Sequence, residues 1–300
     1  MELLIRWGLG YLSIKKLKYI SLDKVDAEGL GFSEAEAVPA GRRLSLFPPP
    51  LNREGEYIIV SSLSAQYIKS GAGHILVGAG VSLDQLVDFL TYKEMYIGLV
   101  LPPFRHESIG GLYSTGLLGE PSGGGVIRPL ETMNIGDRPI YRDFLIRFGE
   151  SPSYIVYDFG IESLDGLRSL VGKLGDAIEG VGRLTIYYSH GGYRVRLYVP
   201  RRHRKLIIGV LSNIGAEEHS IYDSYIEFVD PAELVGAGFN HILLYRNVPL
   251  GYIAADVDEA ILLYGDLGSR IYIVLSREDV VKPGYTKYIV VDGGRLRLYY

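Results

Sequence analysis

Short apolar runs separated by turn residues dominate the first half of the chain. Tyr57-Ile58-Ile59-Val60 and His74-Ile75-Leu76-Val77 have the length and β-branched content of buried strands. The period changes after Val81. Leu83, Leu86, Val87 and Leu90 fall on one helical face, with Ser82 placed to cap the helix and Gln85 three residues on to complete a capping box. The second half alternates more regularly. Strand 154–159, helix 162–178, strands 184–188 and 194–199 about His190-Gly191-Gly192, helix 205–214 and strand 220–229 are expected in turn. That order, β-α-β-β-α-β, is the split arrangement of a ferredoxin-like unit. Beyond it the pattern predicts strand 241–245, helix 256–264, strand 270–275, a turn or short helix at 276–281, and strands near 288–291 and 296–299. No period of roughly 20–50 residues repeats, which excludes a solenoid.

The expected class is therefore α+β. A length of 300 residues and the change of texture near Glu150-Ser151-Pro152 divide the chain into domains 1–150 and 151–300. With 47% hydrophobic and 22% charged residues it has ample material for a core. Thirty-one basic against 35 acidic residues leave a net charge of −4, which argues against nucleic acid as a partner. The absence of cysteine removes disulfides, thiol nucleophiles, thiolate zinc sites and iron–sulfur ligation together. Scarce Asn and Gln beside 24 Tyr point to a thermophilic source. No run reaches the roughly 18 apolar residues of a membrane span, and the opening residues do not read as a signal peptide, so a cytoplasmic protein is expected.

Several signatures fail on inspection. There is no P-loop, His106-Glu107 lacks the second histidine of a zinc motif, and Ser114 lies outside any nucleophile elbow. The six histidines have no metal-ligand spacing, so no metal site is expected. Gly78-Ala79-Gly80 has Leu83 where a dinucleotide fingerprint needs its third glycine. Arg201-Arg202-His203-Arg204-Lys205 reads as a solvated helix start, and His190, Arg194 and Arg196 as an exposed strand face. What survives is the glycine-rich stretch from Val77 to Gly125. It carries Gly78-Ala79-Gly80-Val81, Pro102-Pro103, Ser108-Ile109-Gly110-Gly111 and Gly116-Leu117-Leu118-Gly119. Glycines let backbone N–H groups converge on an anion, and Ser45, Ser108, Ser114 and Thr115 would add hydroxyl donors. A set of tight turns would use the same glycines.

The order GAGV, helix, PP, [ST]IGG resembles the FAD-binding domain of the vanillyl-alcohol-oxidase/PCMH superfamily, and within it the glycolate oxidase FAD-binding subunits. Ser108 to Pro121 is similar to that branch's "TLGGxxAxGLSGP", and Val38-Pro39-Ala40-Gly41-Arg42-Arg43-Leu44-Ser45 to its first phosphate loop, "PxGGxTxL". Leu244 to Pro249 resembles "WRxSVPP", Tyr264 to Tyr272 "DWGGGxxWL", and Asp292 to Leu296 "GGHATLLR". The resemblance implies a PCMH-type lobe followed by an αβ cap, with non-covalent FAD. The residues it marks are Gly41, Arg42, Arg43, Ser45, Gly78, Gly80, Val81, Pro102, Ser108, Ile109, Gly110, Gly111, Ser114, Thr115 and Gly119. It further implies a subunit of a 2-hydroxy-acid (glycolate-type) dehydrogenase or oxidase complex. The partners would be a paralogous catalytic flavoprotein and an iron–sulfur subunit.

Departures accompany it. Arg42 and Arg43 replace glycines of the first loop, Arg128-Pro129 stands for the family's Arg-Asp, and the late "GSLGTLG" stretch is missing. A second reading keeps the fold and drops the flavin, leaving a scaffold subunit whose phosphate loops are only turns. A ferredoxin-like RNA binder is a third, opposed by the acidic balance and the missing aromatic pattern.

Overall fold

The computed structural model describes residues 3–7, 10–14, 16–21, 36–40, 56–61, 65–93, 95, 107–114, 116–118, 126–135, 138–147, 154–174, 183–189, 192–200, 203–212, 217–219, 231–253, 260–266, 270–277 and 284–299. The chain opens with a hairpin of β1 (Leu3–Trp7) and β2 (Gly10–Ile14). Strands β3 (Lys16–Ser21), β4 (Glu36–Ala40) and β5 (Glu56–Ser61) follow, a parallel sheet with β5 in the middle. Next come β6 (Ile68–Gly71), β7 (His74–Gly78), α1 (Leu83–Tyr92), α2 (Ile109–Ser114), β8 (Val126–Ile135) and β9 (Arg138–Arg147). Their four strands make an antiparallel sheet in the order β6-β7-β9-β8.

The second half supplies β10 (Tyr154–Ile161), α3 (Leu164–Leu174), β11 (Arg183–Ser189), β12 (Gly192–Pro200), α4 (Arg204–Leu211) and β13 (Glu217–His219). It continues with α5 (Pro231–Gly236), β14 (His241–Arg246), β15 (Ala260–Asp266), β16 (Ile271–Ser276), β17 (Tyr285–Asp292) and β18 (Arg295–Tyr299). One sheet of 11 strands runs β1-β2-β18-β17-β14-β16-β15-β11-β12-β10-β13. Its end β11-β12-β10-β13 is antiparallel throughout, and its elements follow along the chain in the order β-α-β-β-α-β. The class is α+β.

Three differences from the expected elements have physical causes. Residues 260–266 form a strand, not part of a helix; 254–259 lie outside the described residues. Ala260 to Tyr264 are buried on both faces between β16 and β11, so the run is continuously apolar and carries no strand period. Ser276, expected in a turn, closes β16 and is fully buried. The expected strand at 220–229 lies outside the described residues, whereas β13 occupies 217–219. Strands β1 and β2, assigned by position to the first half, join the large sheet through Tyr11 opposite Arg295.

Helix α1 forms as its pattern requires. Leu83, Leu86, Val87 and Leu90 are its buried face, and the Ser82 N–H donates to Gln85 Oε1 at 3.0 Å. Leu83 and Leu86 are fully buried, each contributing about 2 kcal/mol against exposure. Both faces of the large sheet are covered in its middle. One core joins Ile75, Leu86, Ile109 and Phe144 to Leu244, Ile273 and Ile289 of the sheet. The other packs Leu167 of α3 and Ile207 of α4 against Phe159, Val195, Tyr245 and Tyr272 on the opposite face. No helix among the described residues is long and apolar enough to cross a membrane.

Candidate functional site

The two glycine-rich stretches separated by some thirty positions in the sequence fold into one layer. Strand β7 ends at Gly78, and the turn behind it lies against the start of α2. The Ile109 N–H donates to Val81 O at 2.9 Å, Gly110 N–H to Ala79 O at 3.0 Å, and Leu83 N–H to Glu107 O at 2.9 Å. Gly78, Gly80, Val81, Ser108, Ile109, Gly110 and Gly111 are thereby brought together, all buried. Ser114 sits exposed at the end of α2. Gly41, Arg42, Arg43, Ser45, Pro102, Thr115 and Gly119 lie outside the described residues. Strand β4, which ends at Ala40, runs beside α2 and β9.

The N–H groups of Gly78, Ala79, Gly80, Val81, Ile109, Gly110 and Gly111 each have an acceptor within the chain. Gly78 donates to Tyr67 O at 2.9 Å, Ala79 to Arg142 O at 2.7 Å, Gly80 to Ala65 O at 3.0 Å and Val81 to Gly78 O at 3.1 Å. Gly111 donates to Ser108 Oγ at 3.1 Å. These donors are consumed in holding residues 65–67, 78–81 and 107–111 together. Two of the glycines are required by that packing. A Cβ on Gly78 would lie 2.1 Å from Ala65 O, and one on Gly110 2.9 Å from Ala79 Cβ. Tyr113 of α2 packs edge-on to Tyr141 and against Phe144, which fixes α2 on β9. Burial, and then its electrostatic interaction with Tyr113, push the Tyr141 phenol up.

The large sheet meets this layer at Gly116. This residue has φ +65°, and a Cβ there would lie 2.9 Å from Nη1 of Arg246. Arg246 ends β14 inside the "WRxSVPP"-like segment and is half-buried, which lowers its guanidinium pKa. Sequence reading passed it over as a site residue, although the motif that holds it was noticed. The next residue, Asn247, and Arg270 both take positive φ, at 59° and 50°, and the Asn247 N–H donates to Arg270 O at 2.9 Å.

A second polar feature lies on the same sheet face. Register partners run Asp158–Arg196–Thr185–Asp266–Ile271–Arg246 across six strands. Ile271 belongs to the core shared with the glycine-rich half. Arg196, expected on an exposed face, is only 8% exposed, and Asp158 opposite it 5%. Their ion pair closes at 2.7 Å from Nη2 and 3.3 Å from Nε, both to Asp158 Oδ2. The exposed reading fails for Arg196, which is buried with Asp158, and a buried arginine is tolerated only with such a partner. Among the described residues there is no group of three metal-ligating side chains.

No family model matches the chain, and no curated protein does. Among solved structures, two crystal forms of an alkyldihydroxyacetonephosphate synthase align with it. One covers 88% of this chain and 69% of its own at 9% identity and a TM-score of 0.45. The other covers 90% and 68% at 11% identity and a TM-score of 0.47.

Proposed function

We propose that the chain is the FAD-binding, non-catalytic subunit of a 2-hydroxy-acid (glycolate-type) dehydrogenase complex. It would work beside a paralogous catalytic flavoprotein and an iron–sulfur subunit. The observation that carries this reading is the joining of residues 78–81 and 107–111 in one buried layer, with the Arg246 guanidinium brought against Gly116 from the large sheet. A glycine-rich lobe met by a sheet-bearing cap is what the sequence resemblance implies. The fit to a dinucleotide is restricted. The N–H groups of residues 78–81 and 109–111 are already bonded, so a pyrophosphate would be held chiefly by side chains: Ser114, Arg246, and Arg42, Arg43 and Ser45 of the first loop. A bound flavin supplies two-electron acceptance and stepwise electron release. With no cysteine in the chain, a relay cluster would belong to a partner.

The test is a visible flavin spectrum after gentle purification, followed by FAD titration of the apo protein. The reading expects saturable binding, weakened by Arg246→Met and by Arg42→Gly with Arg43→Gly. Protein that stays colourless and takes up no FAD overturns it. That outcome favours the scaffold reading, which the internally bonded N–H groups support.

A further inference from the structure

A line of tyrosine rings crosses the large sheet over β14, β17 and β18. Tyr288 pairs in register with Tyr299, and the two rings stack with centroids 5.2 Å apart and planes 28° from parallel. Tyr288 also meets Tyr285 at 5.2 Å, and Tyr285 stands edge-on to Tyr245 at 6.4 Å. Exposure grades along the line: Tyr245 is fully buried, Tyr288 is buried, and Tyr299 is 46% exposed. Ring packing of this kind makes no use of a hydroxyl, and phenylalanine would serve it equally. All four members are tyrosine.

The central ring has a base beside it. His241 opens β14, its ring lies 24° from parallel to that of Tyr288, and its Nδ1 is hydrogen-bonded to the Tyr288 phenol oxygen. His241 is only half-buried, so an imidazolium there keeps contact with water. A buried phenol resists losing an electron while it keeps its proton, because the product is a cation in an apolar setting. Passing the proton to the imidazole as the electron leaves gives a neutral phenoxyl instead.

We propose that Tyr288 and His241 form a proton-coupled redox site, and that the tyrosine line carries an oxidising equivalent from the sheet interior to the surface at Tyr299. The oxidant is a high-potential one-electron acceptor, of the class of oxygen-derived radicals. One electron leaves Tyr288 for it, directly or by way of Tyr285, and the phenolic proton passes to His241 Nδ1. Tyr299 then returns an electron to Tyr288 and releases its own phenolic proton to water, while His241 gives its proton back to Tyr288. A soluble reductant of the thiol or ascorbate class quenches the exposed Tyr299 radical with one electron and one proton. The pathway rests on these rings alone and needs no flavin.

The chain has no cysteine, so a single introduced one takes a thiol-reactive ruthenium polypyridyl label without competition. Gly251→Cys places it: Gly251 is exposed, a Cβ there meets nothing within 4 Å, and its neighbour Tyr252 lies against Gly284, next to Tyr285. Flash photo-oxidation of the label is followed by electron paramagnetic resonance, and the radical is captured with a nitroso spin trap for peptide mapping. The adduct should map to Tyr299, and adding Tyr288→Phe should remove it from there. His241→Phe keeps a ring beside Tyr288 but no base. It should slow tyrosyl formation roughly tenfold or more, the rate equivalent of one charge-assisted hydrogen bond. Heavy water should slow the labelled parent too, a readout that needs no further variant. An adduct at Tyr299 undiminished by Tyr288→Phe overturns the inference. So does the absence of any tyrosyl signal, or a rate indifferent to His241→Phe or to heavy water. Uptake of FAD is a separate readout, so loss of the flavin reading leaves this result interpretable.

Discussion

Replacing Gly78 by alanine should cost more than its single methyl suggests. The new Cβ would lie 2.1 Å from the carbonyl oxygen of Ala65 and 2.6 Å from its carbon. Ordinary carbon contacts begin near 3.5 Å, so the two segments must part by about an ångström. That movement breaks the bonds from Gly78 N to Tyr67 O and from Gly80 N to Ala65 O, now 2.9 and 3.0 Å. Two buried hydrogen bonds at about 1 kcal/mol each, with an overpacking cost of roughly 1–3 kcal/mol, give about 3–5 kcal/mol. In a chain of this size that lowers the melting temperature by roughly 5–8 °C. Thermal unfolding followed by circular dichroism measures it. Gly172→Ala on α3 is the control, since nothing lies within 4 Å of its Cβ, and it should stabilise by about 0.5–1 kcal/mol. If Gly78→Ala melts with wild type and loses only ligand binding, the layer is a ligand cradle and the packing account is wrong.

Three further outcomes are expected. Arg196→Met alone strands the buried Asp158 carboxylate and should cost about 3–5 kcal/mol in denaturant titration, whereas Asp158→Leu with Arg196→Met should recover most of it; equal losses would contradict a desolvation cost. The Tyr67 phenol is pushed up to about 12, first by burial and then by its hydrogen bond to Asp143. The folded state therefore holds that proton more tightly, and its stabilising share is full below pH 10 and lost as pH rises through about 12. Tyr67→Phe should flatten the stability–pH curve in that window, and unchanged slopes would refute the assignment. Gly110→Ala, whose Cβ would lie 2.9 Å from the Ala79 methyl and 3.1 Å from Ala79 O, should destabilise less than Gly78→Ala in the same melting series.

Much of the secondary structure was legible because its periods are clean. Helix α1 shows four buried residues at helical spacing behind a capping pair, and the β-α-β-β-α-β order follows from alternating strands and two amphipathic helices. Strand β15 was not, because burial on both faces erases the alternation that separates strand from helix. The site was legible in outline only. Glycines at 78, 80, 110 and 111 announced close backbone approach, but their spacing is the same whether the neighbour is a ligand or Ala65. Arg194 and Arg196 alternate with Val195 and Leu197, which places the charges on one face without revealing that Arg196 is buried there. The partner of Arg196 lies 38 residues away, and no local pattern couples the two.

The pairing of Tyr11 with Arg295 has a kinetic consequence. The hairpin β1–β2 is made long before its neighbour β18, which follows it by about 280 residues. Until then the hairpin presents an unpaired edge, an aggregation hazard while the chain waits. Completing the sheet closes a loop of about 280 residues, a contact of very high order. Refolding from denaturant should therefore end in a slow phase that docks β2 on β18, and deleting the hairpin should remove that phase.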